Sequence, residues 1–178
     1  MGLRELFRAM ADFFIREKMA FAVIGAFGLQ AFGYVRATRD IDFITRREYR
    51  EKIIRHLESL GFDTIQKTDA FSNHVHPLGN ARIDLMYVEH STADTIFSSV
   101  QKAVFFENTE LPVVSPEHLI ALKLFAAHNE PKRKLRELSD IQDILRRVTV
   151  DRTVVKKCFE TYGFKEKYEE IASEDTQG

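Results

Sequence analysis

Asp40-Ile41-Asp42 is the stretch of this sequence whose residue types and spacing point most directly to chemistry. Residues two apart on a strand share a face, so the two carboxylates would stand side by side while Ile41 and Phe43 turn to the core. Adjacent carboxylates repel unless a positive charge stands between them. A divalent cation resolves the repulsion, and hard oxygen ligands suit Mg2+. Alone the string is weak. With 27 acidic residues in 178, an acid-x-acid pair arises by chance about four times. A solvated strand edge gives the same letters.

Three further features change that balance. Upstream, Val23-Ile24-Gly25-Ala26 reads as a strand running through a glycine into a helix. A glycine there lets backbone N–H groups approach a phosphate, and a helix start favours the anion. An ordinary strand-to-helix turn is the plainer reading. Arg36, Thr38 and Arg39 place cations and a hydroxyl just before the acidic pair, or else form a solvated connector. Asp84 lies on a second apolar strand. If that strand neighbours Asp40–Ile44, a third carboxylate joins the pair; otherwise Asp84 faces solvent on a sheet edge.

These residues need a scaffold, and the periodicity supplies one. Leu3, Leu6, Phe7, Met10, Phe13 and Phe14 recur at helical spacing and predict an amphipathic helix over residues 2–18. Phe21–Ile24 is a short buried strand, followed by a short helix to about Tyr34. Asp40–Ile44 alternates with the period of a strand, and Thr45 is placed as the N-cap of a helix from Arg46 to Leu60, with Gly61 past its end. Phe62–Gln66 and Phe71–His76 read as a strand pair, Pro77-Leu78-Gly79-Asn80 as a turn, and Arg82–Val88 as a further strand. A short helix is expected over 92–101, and one or two strands over 103–114, broken by Pro112. Ser115-Pro116 starts a helical third, with pieces at 116–129, 134–147 and 151–162. The expected class is α/β (α+β): a mixed β-sheet core over 1–114, a helical region over 115–169 and a frayed tail over 170–178.

Composition bounds the function. Lys plus Arg number 26 against 27 acids, a net charge of −1, which excludes a binder working through bulk positive charge. A 44% hydrophobic, 30% charged chain is globular. Cys158 is the only cysteine, so neither an internal disulfide nor a multi-cysteine zinc site can form. Charged residues from Arg4 to Lys18 interrupt any signal-peptide core. The longest uncharged run, Met19–Val35, is 17 residues long, short of the roughly 20 that a spanning helix needs. A cytoplasmic location without membrane association is the expectation. His74 and His76 share a strand face, but no third metal ligand accompanies them.

Val23-Ile24-Gly25-Ala26, the 13 residues Phe27–Arg39, Asp40-Ile41-Asp42 and the later Ile83-Asp84-Leu85 resemble the nucleotidyltransferase superfamily of DNA polymerase beta type. The string IGAFGLQAFGYVRATRDIDF is more narrowly similar to the minimal nucleotidyltransferases of the AbiEii toxin group, whose Arg-x-Thr-x-Asp-x-Asp signature is matched by Arg36 to Asp42. The segments SPEHLIALKLFA and RELSDIQDIL resemble that group's C-terminal region. There a lysine on one helix and an aspartate on the next complete the site, here Lys123 and Asp140. The resemblance implies two Mg2+ ions, with Mn2+ as substitute, held by Asp40, Asp42 and Asp84. It implies an NTP held at Gly25, Ala26, Arg36, Thr38 and Arg39, and transfer of NMP to a hydroxyl of RNA (tRNA-like) or protein. A cognate antitoxin is the implied partner. The departure is Ala26, where the family has Gly or Ser, so no side-chain hydroxyl reaches the phosphates.

Residues 131–157 carry nine basic side chains against four acidic, and residues 159–178 carry two against six. The first is either a surface for an RNA backbone or a solvated helix face. Two alternatives to an active transferase remain: a catalytically weak nucleotide-binding or protein-interaction module of the same fold, and, third, a metal-dependent glycosyltransferase using Asp-x-Asp.

Overall fold

The computed structural model of the chain describes residues 2–78, 81–106 and 108–173. They divide into two compact units: the residues up to Ala31 with Val35–Val114, and Phe32–Tyr34 with the residues from Ser115 onward.

The first unit is built on one mixed, seven-stranded sheet. Its elements are α1 (Leu3–Arg16), β1 (Phe21–Val23), α2 (Gly25–Ala31), β2 (Asp40–Arg46), α3 (Arg50–Ser59), β3 (Asp63–Lys67), β4 (Phe71–Val75), β5 (Arg82–Val88), α4 (His90–Ser98), β6 (Gln101–Phe105) and β7 (Thr109–Val113). The strand order is β3-β4-β5-β2-β1-β7-β6. Strand β2 runs parallel to β5 through seven consecutive pairs, from Asp40↔Arg82 to Arg46↔Val88, and antiparallel to β1. Alternation along β2 and β5 separates the faces: Ile41, Phe43, Ile83 and Leu85 are buried, while Asp40, Asp42, Arg82 and Asp84 are half-exposed.

Helix α1 presents Leu6, Phe7, Met10 and Phe14 to the core, all fully buried. The Phe7 ring lies 5.0–5.6 Å from the rings of Phe27, Phe43, Phe105 and Phe106. Burying each such ring contributes about 1.5–3 kcal/mol, so this aromatic cluster anchors the apolar side of the sheet beneath the acidic strands.

Local readings gave way to pairing in two places. Thr45 is not a helix cap. It pairs with Phe21 on one side and Tyr87 on the other, and its hydroxyl, fully buried, donates to the Ala20 carbonyl at 2.7 Å. The strand therefore reaches Arg46, and a 3-10 turn, Arg47–Tyr49, precedes α3. Pro112 does not break a strand; it lies inside β7 opposite Lys102, and the two strands part at Phe106, whose φ is +43°. Strand β1 meets β7 only at Val23↔Val113, so the missing N–H of Pro112 removes no bond on that side. The helix expected over 92–101 is α4, and Gln101 opens β6 instead.

The second unit holds α5 (Pro116–Asn129), α6 (Lys134–Arg147), α7 (Arg152–Thr161) and α8 (Lys165–Ser173). Ser115 caps α5, accepting from the His118 amide at 3.3 Å; Asp151 caps α7, accepting from the Thr153 and Val154 amides at 2.9 and 3.2 Å. Helix α8 continues through Glu170 to Ser173, positions expected in the frayed tail. Its Tyr168 packs edge-on against Phe159, and Ile171, within the expected tail, is buried. The rest of that tail, 174–178, and Gly79 and Asn80 of the expected turn lie outside the described residues. No helix among the described residues is long and apolar enough to cross a membrane.

Candidate active site

The parallel β2–β5 ladder sets Asp42 directly opposite Asp84. Neighbouring strands lie about 4.8 Å apart, so these carboxylates begin from adjacent backbone positions. Asp40 lies two residues along β2 on the same half-exposed face. The Thr38 hydroxyl fixes the entry to that strand: it accepts from the Asp40 amide at 3.1 Å and donates to the Asp40 carbonyl at 3.1 Å. Thr38 thus shapes the turn that presents the first acid. Arg39 is exposed, and its carbonyl accepts from the Arg82 amide at 3.4 Å, tying the connector to β5. The Arg36 carbonyl accepts from Gln30 Nε2 at 3.5 Å.

Gly25, at the start of α2 just past β1, meets the Asp42 carboxylate. The Ile24 amide donates to the Asp42 carbonyl at 3.0 Å. Gly25 itself takes φ +63°, and a Cβ built on it would lie 2.5 Å from Asp42 Cγ and closer still to Oδ2. The Asp42 carboxylate fills the space a side chain would need, so both the backbone angle and the close approach call for glycine. Ala26, next in α2, is 2% exposed and offers only its backbone polar groups.

Asp84 Oδ1 is engaged by two donors, Asn73 Nδ2 at 2.7 Å and Arg82 Nε at 3.1 Å. That hydrogen bond raises the Arg82 pKa; burial opposes it, and the charges of Asp84, Asp40 and Asp42 reinforce it. The donor set, three carboxylates on one face, has the chemistry for a hard divalent cation. Backbone register and residue type fit such an ion. The rotamers do not close on one: no group of three or more His, Cys, Asp or Glu among the described residues is arranged to hold a metal.

Lys123 and Asp140 belong to the second unit. Lys123 Nζ donates to Asp140 Oδ2 at 2.6 Å and to Glu137 Oε2 at 3.0 Å, and all three residues are at most 6% exposed. Glu137 Oε1 also accepts from Arg133 at 2.8 and 3.1 Å and from Arg136 at 3.3 Å. Burial works against the Glu137 charge, yet Lys123 and then Arg133 outweigh it and hold the carboxyl below its ordinary range. A solvated helix lysine is therefore not what Lys123 is.

Three residues were missed from the sequence. Glu137 was detectable in principle, since it stands three before Asp140 on one helix face. Arg82 and Asn73 carried no signal of their own: each was only a strand residue until the register put it beside Asp84. His74 is fully buried, within 2.8 Å of Ser72 Oγ and 3.1 Å of Thr64 Oγ1, and His76 packs edge-on against Phe62. Among the described residues, neither belongs to a group that could hold a metal.

A family model described as nucleotidyl transferase AbiEii toxin, type IV toxin–antitoxin system, matches residues 4–176. No curated protein matches the chain. Among solved structures, ANT(2'')-Ia in complex with adenylyl-2''-tobramycin superposes with a TM-score of 0.61 at 14% identity, over 96% of this chain and 95% of that one. The lincosamide antibiotic adenylyltransferase LnuA, lincomycin-bound, gives 0.57 at 16% identity, over 79% and 94%. An antigenic nucleotidyltransferase-like protein from Paracoccidioides brasiliensis gives 0.61 at 11% identity, over 98% and 93%. At these identities the structures share the fold.

Proposed function

This chain belongs to the AbiEii family of nucleotidyltransferases, and we propose that it transfers a nucleoside monophosphate from an NTP to a hydroxyl of RNA or of a protein. The carrying observation is the pairing of Asp42 with Asp84 across β2 and β5, with Asp40 on the same face and Gly25 pressed against Asp42.

Asp40 and Asp42 would hold two divalent ions, Mg2+ or Mn2+, and Asp84 would join them at one. Bound there, the ions would neutralise charge on the phosphates and on the attacking and leaving oxygens. The backbone amides after Gly25 would hold the triphosphate, and Arg36 and Arg39 would add charge at its far end. Asp84 would accept the proton of the attacking hydroxyl. The acceptor oxygen bonds to the α-phosphorus as the bond to the bridging oxygen breaks, and pyrophosphate leaves. Within the family's description a toxin role, opposed by an antitoxin, is the corresponding biology.

Ala26 favours a second reading, a nucleotide-binding module without transfer, because the position supplies no hydroxyl. One experiment separates the two. The protein, and an Asp42→Asn variant, are incubated with each α-labelled NTP, Mg2+ and total cellular RNA or lysate. Label on a macromolecule with the native chain and not with the variant supports transfer. Binding of Mg–NTP with no label on any acceptor supports the module.

A further inference from the structure

Arg82 has no part in the chemistry outlined above, yet it stands at its centre. Strand register sets it opposite Asp40, one position short of the Asp42–Asp84 pair on the same sheet face. Its Nε donates to Asp84 Oδ1 at 3.1 Å. The ion pair is only part-buried, with 43% of the Arg82 side chain and 27% of the Asp84 side chain exposed. Three carboxylates on neighbouring positions repel, and a sheet that displays them without metal needs a cation among them. Arg82 is that cation on β5 itself, and it takes the third acid.

We propose that Arg82 is a tethered counter-ion, which occupies Asp84 in the metal-free enzyme and must release it for a divalent ion to bind. This rests on the reading of Asp40, Asp42 and Asp84 as metal ligands and adds to it a residue that sets the affinity. The exchange is physically reasonable. A guanidinium on a long, partly exposed stem can swing to solvent, whereas the acids are fixed by the ladder. Asn73, the other donor to Oδ1 at 2.7 Å, is neutral and can keep Asp84 oriented once Arg82 leaves. Arg82 is a positioning residue, acting on metal through Asp84. Its consequence is an enzyme whose acidic face is charge-compensated before metal arrives, at the expense of a weaker hold on the ion.

The test reads metal rather than turnover. Mn2+ binding to the full chain without nucleotide is measured by electron paramagnetic resonance of the free ion. The proteins are the native chain, Arg82→Met, Arg82→Gln, Arg82→Lys and Asp42→Asn. Removing one positive charge beside the ion is expected to tighten Mn2+ by about three- to tenfold at low ionic strength, and the gain should shrink as salt is raised. Arg82→Lys keeps the charge and should bind as the native chain does. The metal-free Arg82→Met and Arg82→Gln proteins should melt earlier than the native chain, and Mn2+ should restore them. If Asp42→Asn abolishes Mn2+ binding while Arg82→Met and Arg82→Gln bind no tighter than native, the counter-ion role is overturned and the metal site stands. If they lose nucleotide affinity with Mn2+ affinity unchanged, Arg82 contacts phosphate and the proposal is equally overturned. If Asp42→Asn binds Mn2+ as the native chain does, the metal-site reading itself fails.

Discussion

Gly25→Ala is the smallest change that should damage the acidic face, and its size can be worked out. Two effects act together. Alanine at φ +63° carries the left-handed penalty, about 1–2 kcal/mol. The new methyl would also sit 2.5 Å from Asp42 Cγ, so the carboxylate must leave its rotamer, at a cost of about 0.5–1.5 kcal/mol. The total is about 1.5–3.5 kcal/mol, or roughly 3–14 °C in Tm for a chain of this size. Gly61→Ala is the matched control. It lies in the same unit at φ +86°, but its Cβ meets only His76 Nε2 at an ordinary 3.6 Å, so it carries the backbone penalty alone. Urea denaturation of both variants, with Mn2+ titration alongside, isolates the contact with Asp42. Gly25→Ala should be the less stable by about 0.5–1.5 kcal/mol and should bind Mn2+ more weakly. Equal stability of the two variants, with Mn2+ binding intact in both, would refute the claim that Asp42 and Gly25 share one space.

Lys123→Met removes the cation between two buried carboxylates. It should cost about 3–5 kcal/mol in urea denaturation; a loss under about 1 kcal/mol would mean that Glu137 and Asp140 are satisfied without it. The histidines predict a pH dependence. Burial holds His74, His56 and His118 below the ordinary imidazole value. The unfolded chain then binds protons that the folded one refuses. Their contribution is complete above the unfolded value of about 6.5 and is lost as pH falls from there toward the depressed folded values. Denaturant midpoints should drop between about pH 7.5 and pH 5.5, and a flat profile would contradict the buried, neutral His74.

Legibility in the sequence followed how local each signal was. The acidic strands were readable because Ile41, Phe43, Ile83 and Leu85 alternate with Asp40, Asp42, Arg82 and Asp84, a pattern that any two-faced strand imprints on its own residues. Helix α5 was readable because its start is chemical, a capping Ser115 followed by Pro116. Thr45 was misread because a β-branched hydroxyl residue suits a cap and a strand equally, and only β1 and β5 on either side decide between them. Arg82 was invisible as a site residue for the same reason. Nothing in its neighbours says which strand lies beside it, and its partner Asp84 would be an unremarkable same-face acid without Asp40 and Asp42 across the ladder. Glu137 reads as a solvated acid on a charged helix until α5 brings Lys123 to it.

Seven consecutive pairs between β2 and β5 carry a consequence for how this chain tolerates change in length. The matching of residue 42 with residue 84 is set by the ladder, not by the stretch of polypeptide that joins the two strands. Within that stretch, a tag or an inserted loop beside Leu78, which is 93% exposed beyond the end of β4, should leave the acids where they are. A slip of the ladder by a single residue is the opposite case. It would turn Asp84 into the oily interior and bring Ile83 or Leu85 out in its stead, so elongation is harmless where misalignment is fatal.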